Sequence, residues 1–188
     1  MRERGAQRAF LLVAIFAAVS MMTLLDATAQ KPTRDDVQAA YLYNFGKFVR
    51  WPGDPSHRPM LVCVAGEDPF AETLRKLVEG EQIDGRPLEV RNLDRPDGVS
   101  DCSILFIGAE QRDREDSFLS AAAGKPILTV SDSPDFLDRG GMIQFVLVED
   151  HVRFEVNLDE CNRHRVGLSS ELLKVAAAVT AKSAGGTR

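Results

Sequence analysis

The side chains with the clearest capacity for chemistry are three cysteines, Cys63, Cys102 and Cys161. Cys63 lies inside the apolar run 61–64, and Cys102 opens a second apolar run, 102–107. If these two strands are neighbours in one sheet, the sulfurs can meet, and a bridge closing a loop of about 39 residues would stabilise the fold by roughly 3 to 4 kcal/mol. The alternative is two buried, inert thiols. Cys161 has no obvious partner, so we expect a free thiol or an intermolecular bond.

Other catalytic constellations are missing from the sequence. It contains no G-x-S-x-G nucleophile elbow, no phosphate-binding G-x-x-x-x-G-K, no G-x-G-x-x-G and no H-E-x-x-H. The three histidines, His57, His151 and His164, fall in separate predicted loops, which is typical of solvated side chains rather than of one metal site. Ser169 and Ser170 are interpreted as a helix cap. The sequence therefore predicts a protein that is not an enzyme and that holds no metal or cofactor.

The first 29 residues have the organisation of a secretory signal peptide. Three arginines precede an apolar run, 10–25, and Ala27-Thr28-Ala29 is a small-x-small cleavage site. An uncleaved membrane anchor is the alternative, although the apolar run is slightly short for a span. No cysteine follows the small residues, which argues against a lipoprotein. We therefore predict cleavage after Ala29, a periplasmic location and no membrane insertion of the mature chain.

The charge of the mature chain limits the class of partner. Without residues 1–29, 20 basic and 26 acidic residues remain, a formal charge of −6. Nucleic acid and anionic lipid surfaces are bound through basic patches, so neither is a predicted partner. A protein or a neutral small molecule fits this composition better.

The mature chain has the length of one domain. We predict a flexible N-terminus over 30–34, a domain over 35–181 and a flexible tail over 182–188. The first helix is predicted to be capped by Asp35 or Asp36 and to run to about Arg50.

This first helix is rich in aromatic residues on more than one side. One interpretation is that it is buried between the sheet and a loop. The other is that Tyr43, Phe48 and Trp51 form a docking or homodimer surface, because exposed aromatic side chains concentrate at such sites.

The most regular strand pattern in the chain lies between Gly140 and Leu158. Apolar residues alternate with polar ones over 152–158, and an almost unbroken apolar run over 142–148 precedes them across the short polar break 149–151. These two runs predict an antiparallel hairpin. Short apolar strands alternating with helices precede it, and a last helix is predicted from Ser169 to about Ala181. The fold class is therefore α/β: one domain, a mostly parallel mixed sheet with helices on both faces, and a C-terminal antiparallel hairpin.

Several sequence blocks, in order, resemble the YfiR-like family of small periplasmic proteins, long a family of unknown function. The opening helix block is Ala39-Ala40-Tyr41-Leu42-Tyr43-Asn44-Phe45, followed by Trp51-Pro52. The later blocks are Cys63-Val64, Cys102-Ser103-Ile104-Leu105-Phe106-Ile107-Gly108, Gly140-Gly141-Met142-Ile143 and 168–173. The resemblance covers nearly all of the mature chain.

The resemblance implies a regulatory function. The understood members are periplasmic repressors that bind the periplasmic sensor domain of an inner-membrane diguanylate cyclase, keep cyclic-di-GMP synthesis low and restrain biofilm formation. Cys63 and Cys102 match one family bridge. Leu137 and Gln144 stand near the places of a second bridge that some members carry.

A hypothesis of another class is a periplasmic small-ligand-binding or sensor module that feeds a kinase or a transporter. Its site would be a crevice beyond the carboxyl ends of the parallel strands.

Overall fold

The protein is described by a computed structural model that covers residues 31–53, 58–66 and 69–181. The predicted signal peptide, the predicted tail and His57 lie outside the described residues. From Pro32 onward, the described residues belong to one compact unit.

Most of the strands form one eight-stranded sheet. The strands of the described part, in chain order, are β1 (Val49–Arg50), β2 (Met60–Ala65), β3 (Gln82–Ile83), β4 (Arg86–Leu93), β5 (Ile104–Ile107), β6 (Leu128–Ser131), β7 (Ile143–Val148), β8 (His151–Asn157), β9 (Gly167–Leu168) and β10 (Ala178–Thr180). The order across the large sheet is β10-β8-β7-β6-β5-β2-β4-β3. β1 and β9 pair separately as a two-stranded antiparallel sheet.

The centre of the large sheet is parallel, from β4 through β2, β5 and β6 to β7. This is the doubly wound order in which the chain starts at an inner strand and builds outward in both directions. β8 runs antiparallel to β7, and the short β3 runs antiparallel to β4 at the other edge. The predicted mostly parallel mixed sheet with a C-terminal antiparallel hairpin is confirmed.

Helices cover both faces of the sheet, as predicted. The α-helices of the described part are α1 (Arg34–Phe48), α2 (Phe70–Val78), α3 (Glu115–Ala122), α4 (Leu158–Arg163) and α5 (Ser170–Val175), and 3-10 helices span Pro96–Asp101 and Ala109–Arg114. The alternation of side chains along each strand divides the core in two. Val62 and Val64 face the cluster under α1 and α2, whereas Cys63 and Ala65 face the cluster under α3.

The β7–β8 hairpin places Phe145 opposite Phe154 and Val148 opposite His151. Its turn therefore consists of Glu149 and Asp150 alone, and both have positive φ angles, 49° and 60°. Two-residue turns of this hand match the twist of the strands. His151, which the sequence analysis placed in the turn, begins β8.

Two helix ends differ from the prediction. Thr33, and not Asp35 or Asp36, caps α1: its hydroxyl accepts a hydrogen bond from the Asp36 amide, and the Asp36 carboxylate accepts one from the Thr33 amide. The helix ends at Phe48, because the next two residues extend to pair with β9.

The last helix is also shorter than predicted. It ends at Val175, and residues 178–180 form an edge strand beside β8. The Ala177 amide donates to the Phe154 carbonyl, which starts this strand pairing.

Candidate functional site

The C-terminal end of α1 carries Tyr43, Phe48 and Trp51, which we call the aromatic corner. The chain turns sharply here because Val49 adopts an extended conformation and pairs with Leu168. The Phe48 carbonyl accepts a hydrogen bond from the Ser169 amide. The backbone of the corner is therefore fixed by β9 and the residue that follows it.

The side chains of the aromatic corner differ in exposure. Phe48 is 39% exposed, whereas Tyr43 and Trp51 are half-buried and pack against the core. The Tyr43 hydroxyl donates to the Glu81 carboxylate, and the Lys47 ammonium lies 3.8 Å from the centre of the Tyr43 ring. Phe48 is thus the member most available to a partner, while Tyr43 is held by contacts within the chain.

The remainder of α1 packs on the sheet. Tyr41 and Phe45 contact Phe154 edge-on, with ring centres 5.3 and 5.2 Å apart, and both rings also contact Phe145. The burial that the first interpretation predicted is confirmed for the middle of the helix, and the docking surface stays a prediction. The middle of α1 is buried against the hairpin, and its C-terminal end reaches solvent at Phe48.

A cleft of about 340 Å³ opens where β2, β4 and β5 begin, which we call the amino edge of the sheet. Its lining includes Trp51 and Pro52, which follow β1, and residues 100–103, which precede β5. The sequence analysis placed a ligand crevice at the other end of these strands. The structure instead opens this cleft at the amino edge.

Two restraints hold the amino edge together. The predicted disulfide joins Cys63 in β2 to Cys102 just before β5, with the two Cα atoms 5.8 Å apart. The Arg86 guanidinium is buried and donates through Nε to the Arg58 carbonyl at 2.7 Å and through Nη2 to the Pro59 carbonyl at 3.2 Å. No pattern in the sequence distinguishes Arg86 from a surface arginine in a turn, so its role was missed.

At the carboxyl edge, where β5 and β6 end, side chains from different segments of the chain pair with one another. Asp132 accepts a hydrogen bond from the Ala109 amide at 2.8 Å and from the Arg34 guanidinium at 3.1 Å. Arg112 donates to the Ser133 hydroxyl and to the Pro134 carbonyl, at 3.3 and 3.0 Å. These contacts lie at the edge where the ligand crevice was expected.

A buried carboxylate lies beside this edge. Glu115, at the start of α3, is 0% exposed, and its Oε1 lies 3.1 Å from Arg139 Nε. Arg139 Nη2 also contacts Asp116 Oδ1 at 2.6 Å. Burial raises the pKa of the Glu115 carboxyl, against the opposing effects of Ser133 and Arg139.

Other residues with chemical capacity are dispersed or buried. Cys161 is a free thiol, and burial raises its pKa to about 12. His151 and His164 each contact a nearby backbone carbonyl through Nδ1, and the Ser169 hydroxyl caps α5, as predicted. The described residues include no cluster of three or more potential metal ligands.

In the described ranges, none of the helices combines the length and the apolar character that crossing a membrane requires.

Comparisons with known proteins identify both sequence and fold relatives. A family model described as YfiR/HmsC-like matches residues 35–177. Among solved structures, the crystal structure of a conserved domain protein from Vibrio cholerae O1 biovar eltor is similar, with a TM-score of 0.53 at 9% sequence identity. The similarity covers 76% of this chain and 60% of that chain, and at this identity it shows the fold alone.

Proposed function

Because the chain belongs to the YfiR/HmsC-like family, we propose that it is an exported periplasmic regulator that represses an inner-membrane diguanylate cyclase. It binds the periplasmic sensor domain of the cyclase and so keeps cyclic-di-GMP synthesis and biofilm formation low. The observation that carries this proposal is the family match, which spans residues 35–177.

Two features support a periplasmic location, and a third bears on the class of partner. Residues 1–29 have the sequence of a cleavable signal peptide. The Cys63–Cys102 disulfide requires an oxidising compartment, which the periplasm provides. The formal charge of −6 after cleavage favours a protein partner over nucleic acid or an anionic lipid surface.

The aromatic corner is the proposed docking surface. Repression by binding requires a higher affinity for the inactive state of the partner than for its active state. Phe48 offers an exposed aromatic side chain on a backbone that β9 fixes, so little conformational freedom is lost when it is buried. The half-buried side chains of Tyr43 and Trp51 belong to the same surface as Phe48.

Co-purification tests the proposal. Tagged mature protein, beginning at Gln30, is incubated with detergent-solubilised inner membranes, and the retained proteins are identified by mass spectrometry. We expect a membrane diguanylate cyclase with a periplasmic domain, and its purified periplasmic domain should then bind the protein directly. Failure of the folded protein to bind any such domain of its own organism would contradict the proposal.

Matched variants test the docking surface separately. Phe48→Asp should abolish binding, because it places a charge in the centre of an apolar contact. Val148→Asp is the control, since Val148 is 45% exposed at the tip of the hairpin and lies outside the aromatic corner. Equal binding by the two variants would reassign the surface and leave the function itself standing.

A further inference from the structure

The cleft at the amino edge has the size of a small-molecule site. Its volume of about 340 Å³ lies at the lower end of the range of small-ligand pockets. The disulfide-bonded Cys102 and the buried, hydrogen-bonded Arg86 line it, so part of its wall is held in place by contacts within the chain. A preformed cleft loses little free energy to ordering when a ligand enters.

Part of the cleft wall is apolar and part of it is polar. The indole of Trp51 stands on one side, and the apolar lining is completed by Pro52, Pro59, Leu61, Cys102 and Pro126. Rings and prolines are stiff, so this lining offers a flat, rigid surface to the apolar part of a ligand. The apolar body of a ligand gains free energy in proportion to the surface that it buries here.

The polar groups of the cleft are mostly hydrogen-bond donors. Three arginines line it: Arg58, Arg86 and Arg91. The Trp51 Nε1 atom is buried and has no acceptor in the described part of the chain, so it does not face the open space of the cleft.

The acidic side chains of the cleft do not cancel this excess of donors. Asp101 is engaged with Arg91 across 3.6 Å, and both side chains are exposed, so that contact is weak and open to rearrangement. Glu89 is the other acidic residue in the lining and projects from β4 on the exposed side of that strand. The balance of charge around the cleft remains positive.

We propose that this cleft binds the carboxylate of a small apolar acid. The carboxylate is held by the arginine side of the cleft, where Arg58 is exposed and available, and the apolar body lies against Trp51 and the prolines. Two sources have this chemistry: a free organic acid and the C-terminal residue of a peptide. The inference does not rest on the diguanylate cyclase proposal, although Trp51 belongs both to the cleft and to the proposed docking surface.

The chain contains one tryptophan, and it lines the cleft, so intrinsic fluorescence reports on occupancy directly. Purified mature protein is titrated with octanoate, and separately with N-acetyl-Leu-Leu bearing a free carboxylate. At least one acid should shift the Trp51 emission saturably, with a dissociation constant near or below about 1 mM, and should raise the melting temperature. Octanoate binding indicates a free acid, and peptide binding indicates a C-terminus.

Neutral analogues and protein variants distinguish specific binding in the cleft from nonspecific binding. Octanamide and the peptide amide should bind about tenfold more weakly, since each lacks the charge that strengthens one hydrogen bond. Arg58→Gln should weaken binding of the acid by a similar factor. Arg95→Gln, a change at an exposed arginine outside the cleft lining, should leave the affinity unchanged.

Three outcomes would overturn the proposal. They are no response to either acid in fluorescence or melting temperature, equal responses to acid and amide, and equal effects of the Arg58 and Arg95 variants.

Discussion

The two edges of the parallel sheet are held by different kinds of contact. At the amino edge, the Cys63–Cys102 bond and a buried Arg86 bound to backbone carbonyls keep the strands in place and leave a cleft open. At the carboxyl edge, ion pairs such as Arg34–Asp132 join α1 to the segment after β6. Ligands of doubly wound sheets usually bind at the carboxyl edge. In this protein, side chains of the chain itself pair with one another at that edge.

This difference between the edges shows that similarity to the doubly wound fold does not by itself locate a ligand site. The carboxyl edge also includes the place where the family resemblance suggested a second bridge. There, the Leu137 amide donates to Gln144 Oε1 at 3.4 Å, and Arg139 ties the same loop to Glu115 and Asp116. The stability of the amino edge therefore depends on the redox state of a disulfide, and the stability of the carboxyl edge depends on ion pairs.

Removing the disulfide should produce the largest effect. Replacing both Cys63 and Cys102 by serine opens a loop of 39 residues and should lower the free energy of unfolding by about 4 kcal/mol in the chain-entropy model. Urea denaturation of wild type and variant measures the difference. Reductant should lower the stability of the wild type to that of the variant. A difference below about 1 kcal/mol would show that the bond adds little to this edge.

Breaking the ion pair between Arg139 and Glu115 should lower the free energy of unfolding by a smaller amount. Arg139→Met removes the cation that faces Glu115 and leaves a buried carboxylate without it. The midpoint of urea unfolding should fall, by less than for the disulfide variant and independently of reductant. Adding Glu115→Gln to Arg139→Met should recover most of the loss. If the double variant is as unstable as the single one, the buried charge is not the cause.

The two edges should also differ in how their contributions to the free energy of unfolding depend on pH. Because burial raises the pKa of Glu115, the folded state binds this proton more tightly than the unfolded state. The stability contributed by the protonated form is present below the ordinary value of 4.5 and is lost as the pH rises through the raised folded-state pKa.

Urea unfolding of wild type and Glu115→Gln across this pH window measures that loss. The stability of the wild type relative to the variant should decrease as the pH rises, while the effect of the disulfide stays constant. A relative stability that is flat or increases with pH would contradict the sign of the shift.

The smallest effect is expected at Cys161, which lies in the core under α1 and belongs to neither edge. Its thiol is buried and its pKa is raised to about 12, so it should not react with a thiol reagent in the folded protein at pH 8. One thiol should become reactive in urea without reductant. Rapid reaction of the native protein, or a disulfide-linked dimer, would support the intermolecular bond that burial disfavours.

The sequence was sufficient for the parts of the fold that depend on regular patterns. Alternation over 152–158 predicted β8, and the two apolar runs containing Cys63 and Cys102 predicted strands that could be bridged if they were neighbours, which they are. The end of α5 was missed because 176–181 is rich in alanine, which favours a helix, whereas pairing with β8 makes the last part a strand. This pairing is a long-range contact, so the helix propensity of the local sequence does not predict it.

The site was less predictable than the fold. Glu115 lies in the charged stretch 110–116, where a solvated side chain is the ordinary expectation, yet it is fully buried and faces Arg139 from another part of the chain. The cleft is likewise assembled from segments that are distant in sequence, and no local motif marks it. Phe48 was named as a docking candidate from its residue type, and its role in binding stays a prediction.

Intracellular cyclic-di-GMP, measured in cells that lack this protein and in complemented cells, tests the central claim most directly. Deletion should raise the cyclic-di-GMP level, and the wild type and Val148→Asp should restore it, whereas Phe48→Asp should not, although it is exported and folded. A level that does not change on deletion, in cells that express the partner cyclase, would contradict repression of a diguanylate cyclase by this protein.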